Sequence, residues 1–541
     1  MNSLEQLFVN RIRTGLTKST ITCCSKWSEA FRFMSKPFPG RWTFDHHPWL
    51  RDMQDSTAST NIGQKAAQMG YTECVLNKTF YEIDMNSVDC LYVLPTKSPD
   101  ASDFSAARFD PAVELSTHLQ NMFSDVKNVG HKRAGATNLY VRGSRSKAGL
   151  KSVPVGLLVL DEVEEMNQEN IPLAMERMSG QLEKMVWAIS TPFVEGEGIN
   201  KLFQDSSQEH FFFKCPHCGK LTELIFPECF VYNAEVLRDS HYICKECNGI
   251  LKQEEKIDWL KTGRWVPQYT NKESRGFYIS QLYSPAITPY DIANSYRLSL
   301  TNQADEQELY NSKIGVPHEP DGARVTSKSL TECTKTYRKG IKPKPNDIVT
   351  LGVDVGKFLH YEVTRYRYLT NDTVDINMNT YAQVLDEGKF KDFSELDNLM
   401  RIYNIKACVI DANPERRMAF NFAMRFWGFV RLCFYGSSIN GKQISMGSEE
   451  ECSLTVDRTS WMDLSLSRFR NGTIELPMDV SLEYRQHIKA PVRILVKNDQ
   501  GQTVARYNEG SKEDHAAHAR TYSEIALQLA ATLSQNEDYN G

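Results

Sequence analysis

At 541 residues, 41% hydrophobic and 24% charged, the chain has the composition of a globular protein too long for a single hydrophobic core. No apolar run approaches the ~18 residues of a membrane span. A formal charge of −5 excludes a uniformly basic nucleic-acid binder, so any DNA contact must come from local patches of Lys and Arg.

The N-terminal stretch MNSLEQLFVNRIRTGL is amphipathic and lacks the form of a signal peptide, which sets the expectation of an intracellular protein. Most of its thirteen cysteines are therefore expected to be reduced. The first distinctive segment is KAAQMGYTE, Lys65 to Glu73. It keeps the spacing of a phosphate loop of the form G-x-x-x-x-G-K-[ST], with Gly70 and Thr72 in the places of the second glycine and the hydroxyl. Tyr71 stands where the lysine belongs and Lys65 where the first glycine belongs. A lysine carries its charge on a long flexible stem, so from Lys65 it can still reach β- and γ-phosphates.

A helix is expected to follow, then a short buried strand in DCLYVLPT (Asp89 to Thr96), the order of a P-loop α/β domain. Between Asp125 and Asp161 there is no acidic residue, whereas Lys127, Lys132, Arg133, Arg142, Arg145, Lys147 and Lys151 all fall inside. Most such runs are solvated faces. This one leads into VGLLVLDEVEEM, an apolar strand that ends in Asp161-Glu162. Two carboxylates at a strand end suit Mg·ATP hydrolysis, with Asp161 holding Mg²⁺ through water and Glu162 orienting the attacking water. MVWAISTP supplies a further strand whose polar tip, Ser190-Thr191, is placed to sense the γ-phosphate.

CPHCG and CKECNG contribute Cys215, Cys218, Cys244 and Cys247. Two such knuckles, each followed by a turn-forming Gly219 or Asn248-Gly249, predict a closed, structural four-thiolate Zn²⁺ site. His217, inside the first knuckle, is not expected to be a ligand. The segment YRKGIKPKPND, 337–347, is basic and proline-interrupted and reads as a linker. Beyond it, LGVDVG and VIDANP each end an apolar strand in a carboxylate, Asp354 and Asp411. A final helix carries Asp514, His515 and His518 in its first turns, with 514 and 518 on one face. Three acidic groups from two strands and a helix suit a two-metal nuclease, its Mg²⁺ or Mn²⁺ ions ~3.5–4 Å apart. Taken singly, each Asp has the commoner roles of turn residue or helix cap.

An ATPase, a zinc ribbon and a carboxylate nuclease in that order resemble the large subunit of tailed-phage DNA-packaging terminases of the GpA (lambda-like) type. The resemblance runs from about Arg41 to the C-terminus, through GRWTFDHHPWLRDMQD, QMGYTE, LLVLDEVEE, ISTP, FFKCPHCGK, LGVDVGK, VIDANPE and HARTYSEIAL. It implies an α/β fold with a P-loop (ASCE) ATPase domain on a parallel sheet, a zinc-ribbon insertion and a C-terminal ribonuclease-H-like nuclease domain. The expected division is an arm at 1–40, ATPase at 41–210, zinc ribbon at 211–252, the rest of the motor at 253–336, the linker at 337–347 and the nuclease at 348–541.

By the same resemblance Lys65, Gly70, Tyr71, Thr72, Asp161, Ser190 and Thr191 bind ATP and Glu162 is catalytic. Asp354, Asp411 and Asp514 form the nuclease, with His518 as a metal ligand or base. Where related chains read D-H-x-x-D, this one reads D-H-A-A-H. The expected partners are double-stranded DNA, a small terminase subunit that the N-terminal arm could dock, and a capsid portal carrying a ring of subunits, all in the host cytoplasm with no membrane. An arginine from a neighbouring subunit is expected at the ATP site, from among Arg108, Arg142 and Arg145. Two other classes fit parts of the pattern. One is an ATP-dependent helicase or remodeller with an inactive nuclease appendage. The other is a zinc-ribbon DNA-binding scaffold whose ATP site Tyr71 has disabled.

Overall fold

A computed structural model describes residues 20–539 apart from 124–125, 152, 321, 370–374, 437–440, 442, 498–501 and 509–512. Half of the expected N-terminal arm, residues 1–19, thus lies outside the described residues. The chain forms two compact units, 1–320 and 321–541. Among the described residues no helix is long and apolar enough to cross a membrane.

The first unit is built on an eleven-stranded sheet. Its strands β1 (Thr60–Lys65), β2 (Cys90–Leu94), β3 (Thr137–Gly143), β4 (Leu157–Asp161), β5 (Met185–Ser190), β6 (Glu209–Lys214) and β7 (Arg275–Ile279) lie in the order β6-β7-β1-β5-β4-β2-β3, every neighbouring pair parallel. All five residues of β4 and of β2 are buried, as expected for parallel strands covered on both faces. Helix α1 (Tyr71–Asn86) follows β1 through the loop 66–70. The loop can turn into it because Gly70 takes a left-handed φ of 82°, which costs glycine little. In such sheets ligands bind beyond the C-terminal strand ends, here the ends of β1, β4 and β5.

The cysteine knuckles lie beyond β6, beside a small antiparallel sheet of Phe230–Val231, His241–Ile243 and Ile250–Leu251.

The second unit has an eight-stranded sheet containing β8 (Ile348–Val355), β9 (Leu359–Tyr368), β10 (Thr380–Phe390), β11 (Ala407–Asp411), β12 (Val430–Tyr435) and β13 (Ser453–Val456). β8, β9 and β10 form an antiparallel meander, while β11, β12 and β13 continue the sheet in parallel on the other side of β8. Helix α2 (Arg458–Asn471) and helix α3 (Leu482–Lys489) precede the last helix, α4 (His515–Tyr539). Helix α4 presses so closely on β8 that a Cβ on Gly352 would run into the Ala519 carbonyl and the Ser523 amide.

The segment 337–347, read from sequence as a linker, is tied into this second unit. The Tyr337 hydroxyl donates to the carbonyls of Val384 (2.8 Å) and Glu475 (2.9 Å), and Thr334 bridges to Leu476. The division between units falls earlier, at 320/321.

Candidate nucleotide, zinc and nuclease sites

Lys65 is the last residue of β1, one step before the loop. Its side chain is 6% exposed, and its Nζ lies 3.1 Å from Glu162 Oε1 at the end of β4. The loop is anchored from outside: Ala66 N–H donates to Ile279 O and Ala67 N–H to Ser312 O. From Gln68 to Thr72 the backbone N–H groups meet no acceptor among the described residues. Those groups crown the N-terminus of a 16-residue helix, where unpaired donors and the helix dipole both attract an anion.

Gly315, with φ 76°, closes on the same segment; a Cβ there would lie 2.6 Å from Ala66 N. Tyr71 does not obstruct this cradle. Its ring is 1% exposed and packs on β1, where a Cβ on Gly63 would come within 2.7 Å of Tyr71 Cδ2. What Tyr71 offers a phosphate is therefore its backbone N–H, and the side chain belongs to the core.

Asp161 is buried, and Tyr92 donates its hydroxyl to Oδ2 at 2.6 Å. Oδ1 is buried and has no partner among the described residues. Burial, and then the charge of Glu162, push the Asp161 carboxyl up to about 6, against the pull of Lys65 and the hydroxyls of Tyr92 and Thr72. Glu162 adopts a left-handed φ of 63°, unusual for a residue with a side chain. Ser190 donates to Glu162 Oε2 at 3.3 Å, and its own Oγ accepts from Glu164 N–H. Ser190 thus touches Glu162, while the half-buried Thr191 follows just beyond the strand. An unpaired buried carboxylate oxygen, five free N–H groups and one nearby ammonium fit the charges of Mg·ATP.

The four cysteines converge. All four sulfurs lie within 4.8 Å of one another, and Cys215 Sγ is 3.8 Å from Cys247 Sγ. A Zn²⁺ tetrahedron with bonds of ~2.3 Å has edges of about 3.8 Å. Gly219 (φ 71°) and Asn248 (φ 57°) make the two turns left-handed, and the amides of His217 and Glu246 point at Cys215 and Cys244 sulfurs. His217 turns its Nε2 to the Ile250 carbonyl at 2.7 Å, away from the sulfurs.

In the second unit Asp354 on β8 and Asp411 on β11 sit at adjacent parallel positions, one step past the Val353/Ile410 pair. Burial, then the neighbouring Asp354, push the Asp411 carboxyl up to about 6, while Asn413 N–H and His518 oppose them. Asp514 lies just ahead of α4, with Oδ2 3.4 Å from His518 Nε2. Burial acts to raise Asp514, but His518, Arg458 and His515 outweigh it and hold its carboxyl below the usual range. Both nitrogens of His518 are engaged, Nδ1 by the Tyr435 hydroxyl at 3.0 Å and Nε2 by Asp514 and Arg458.

Among the described residues of this unit, two groups of side chains are close enough to share one ion: Asp354–His360–His515 and His360–Glu483–His487. Asp411 and Asp514 are in neither. His515 donates its Nδ1–H to Asp354 Oδ2 at 2.8 Å, which raises its own pKa. His360, Glu483 and His487 were not visible as site residues in the sequence. Their only linear signal is that His360 falls in the strand following Asp354, and its role depends on cross-strand register.

A candidate nucleotide site at the ends of parallel strands, followed in the chain by carboxylates and histidines on a second, mixed sheet, is the arrangement expected of a nucleotide hydrolase joined to a nuclease. Two family models match the chain: the ATPase domain of the phage terminase large subunit gpA over residues 36–265, and the endonuclease domain of the same subunit over residues 274–368. Together they cover more than half of the chain, which belongs to the gpA family of terminase large subunits. It is an ATPase and endonuclease of phage DNA packaging.

The solved structures it is similar to include the large terminase of bacteriophage HK97, at 11% identity over 93% of this chain and 98% of that one, TM-score 0.48. The large terminase of a thermophilic bacteriophage matches at 10% identity over 86% and 93%, TM-score 0.28. The ATPase domain of the Thermus phage P74-26 large terminase matches at 12% identity over 50% and 96%, TM-score 0.30. No curated protein matches the chain.

Proposed function

We propose that the chain drives double-stranded DNA into a capsid with ATP bound among Lys65, the amides of Gln68 to Thr72, the Thr72 hydroxyl and Asp161, and cuts it at the Asp354 site. The observation that carries the ATP reading is the lysine placed at a strand end, 3.1 Å from Glu162 and beside five amides without acceptors. Mg²⁺ would be held by Asp161 and Thr72 and would supply charge neutralisation at the transferring phosphoryl group. Lys65 leaves Glu162 for the phosphates, and the freed carboxylate orients water. Ser190, bonded to Glu162, transmits the change toward Thr191 and the segment after β5.

Of the three arginines, Arg108 is paired with Glu73 at 3.1 Å and Arg142 is tied to the carbonyls of Gly130 and Val141. Arg145 is exposed, follows the C-terminal end of β3 and has no partner among the described residues. It is our choice for the arginine that completes a neighbouring subunit's site. Arg133, Lys147 and Lys151, also exposed, leave this basic run open for DNA, whereas Lys132 is buried against Asp110.

The four cysteines hold a structural Zn²⁺ in a ribbon spanning 211–252. In the nuclease Asp354, Asp411 and Asp514 supply the carboxylates for Mg²⁺ or Mn²⁺. His518, with both nitrogens occupied, positions Asp514 and is not itself a ligand. Assembly as a ring at a capsid portal, together with a small subunit, completes the reading.

The test is nucleotide binding and DNA-stimulated hydrolysis by purified protein. Lys65→Ala should lose both, with hydrolysis down roughly 10²–10³-fold. Glu162→Gln and Arg145→Ala should bind ATP and fail to turn it over. Unchanged binding by Lys65→Ala refutes the site.

A further inference from the structure

We propose that Asp354, His360 and His515 together hold one divalent first-row transition ion, so that the cutting site is a mixed imidazole–carboxylate centre. This inference rests on the nuclease reading of Asp354 above.

Asp354 and His360 are directly opposed on the antiparallel strands β8 and β9 and therefore share a face of the sheet. His515, in the first turn of α4, arrives from the helix side with Nδ1 2.8 Å from Asp354 Oδ2. One ligand atom from each of the three residues lies within 4.8 Å of the other two. The imidazoles of His360 and His515 stack at 4.7 Å with 9° between planes, which keeps both rings beside Asp354, and a tilt of the rings out of the stack would turn a nitrogen of each to a common ion.

His360 supplies the strongest argument. It is 6% exposed, and its buried Nδ1 has no hydrogen-bond partner among the described residues. Its Nε2 lies 3.3 Å from Glu483 Oε1, and Glu483 is in turn held by Lys389 Nζ at 2.7 Å. A neutral imidazole that gives its Nε2–H to a carboxylate keeps a lone pair on Nδ1. A histidine oriented through its outer nitrogen by a carboxylate is the usual outer-shell arrangement of a metal ligand. Nearby, His487 accepts the Ala516 amide on its Nδ1 at 3.3 Å.

Two imidazoles and one carboxylate favour transition ions over Mg²⁺, for which all-oxygen sets are better suited.

The probe is Mn²⁺ bound to the full chain without nucleotide, followed by electron paramagnetic resonance. The expected result is one tightly bound Mn²⁺ whose pulsed spectrum shows ¹⁴N coupling. His360→Gln and His515→Gln should each lose part of that coupling and weaken binding about tenfold or more, and Glu483→Gln about tenfold with coupling retained. Mg²⁺ should compete only in large excess. Thermal melting without metal shows whether each variant is folded; if His360→Gln is not, the wild-type ¹⁴N signal and Glu483→Gln decide. Mn²⁺ bound without ¹⁴N coupling, yet lost in Asp354→Asn, overturns this inference and leaves the nuclease reading standing. Binding untouched by Asp354→Asn overturns both.

Discussion

In the proposed ATP site, Lys65 and Tyr71 divide between them the place that a standard phosphate loop gives to one residue. The amine comes from the strand end, and the position after Gly70 is given to a ring that seals the sheet at Gly63. Moving the lysine back should therefore fail. Tyr71→Lys places an ammonium among Gly63, Ile189 and the core, so it should destabilise the first unit and not rescue Lys65→Ala. Tyr71→Phe should be close to neutral for stability and ATP hydrolysis, because the buried hydroxyl it removes has no partner among the described residues. Thermal melting and phosphate release on the same samples check both. A loss of activity in Tyr71→Phe would give the hydroxyl a role that this account denies it.

At the scale of elements, the last helix shows how the nuclease site is held. Arg468 on α2, Arg520 and Glu524 on α4 and Glu362 on β9 form a buried charge network, with Arg468 Nη2 2.7 Å from Glu524 Oε1 and Arg520 bonded to both glutamates. Burial works to raise Glu524, but Arg468 and Arg520 outweigh it and hold its carboxyl down at about 2, from an ordinary 4.5. A depressed acid contributes stability that is fully present above its unfolded value and lost as pH falls through its folded one. The second unit should therefore lose melting temperature between about pH 4.5 and 2. Glu524→Gln should flatten that slope and cost about 3–5 kcal/mol at neutral pH, since it strands buried arginine charge. A parallel slope in the variant would contradict the assignment.

Strand-end carboxylates were the legible part of this architecture. Asp161, Asp354 and Asp411 each close a run of apolar residues, and a run that stops on a charge marks both a buried strand and its open end. The convergence of the four cysteines was legible because two C-x-x-C turns at this spacing are the pattern of a four-thiolate site. His360 was not: a histidine within FLHYEVTRY carries no local signal, and it meets Asp354 only through the β8/β9 register. Nor was the tethering of 337–347. Lysines and prolines at the surface look alike in a free linker and in a segment pinned by Tyr337 to two backbone carbonyls.

For the whole molecule, the chain is two units, each with its own sheet: the residues proposed for phosphate and magnesium stand at the ends of β1 and β4 in the first, those proposed for cleavage at the ends of β8 and β11 in the second. Every residue assigned to ATP lies before 321 and every residue assigned to cleavage after it. The two activities should accordingly be separable by single isosteric changes. The direct measurement compares the wild type, Glu162→Gln and Asp354→Asn in two assays, DNA-stimulated ATP hydrolysis and Mn²⁺-dependent plasmid cleavage. Glu162→Gln is expected to abolish hydrolysis and still cleave, and Asp354→Asn to do the reverse; hydrolysis surviving in Glu162→Gln, or cleavage surviving in Asp354→Asn, would overturn the site concerned.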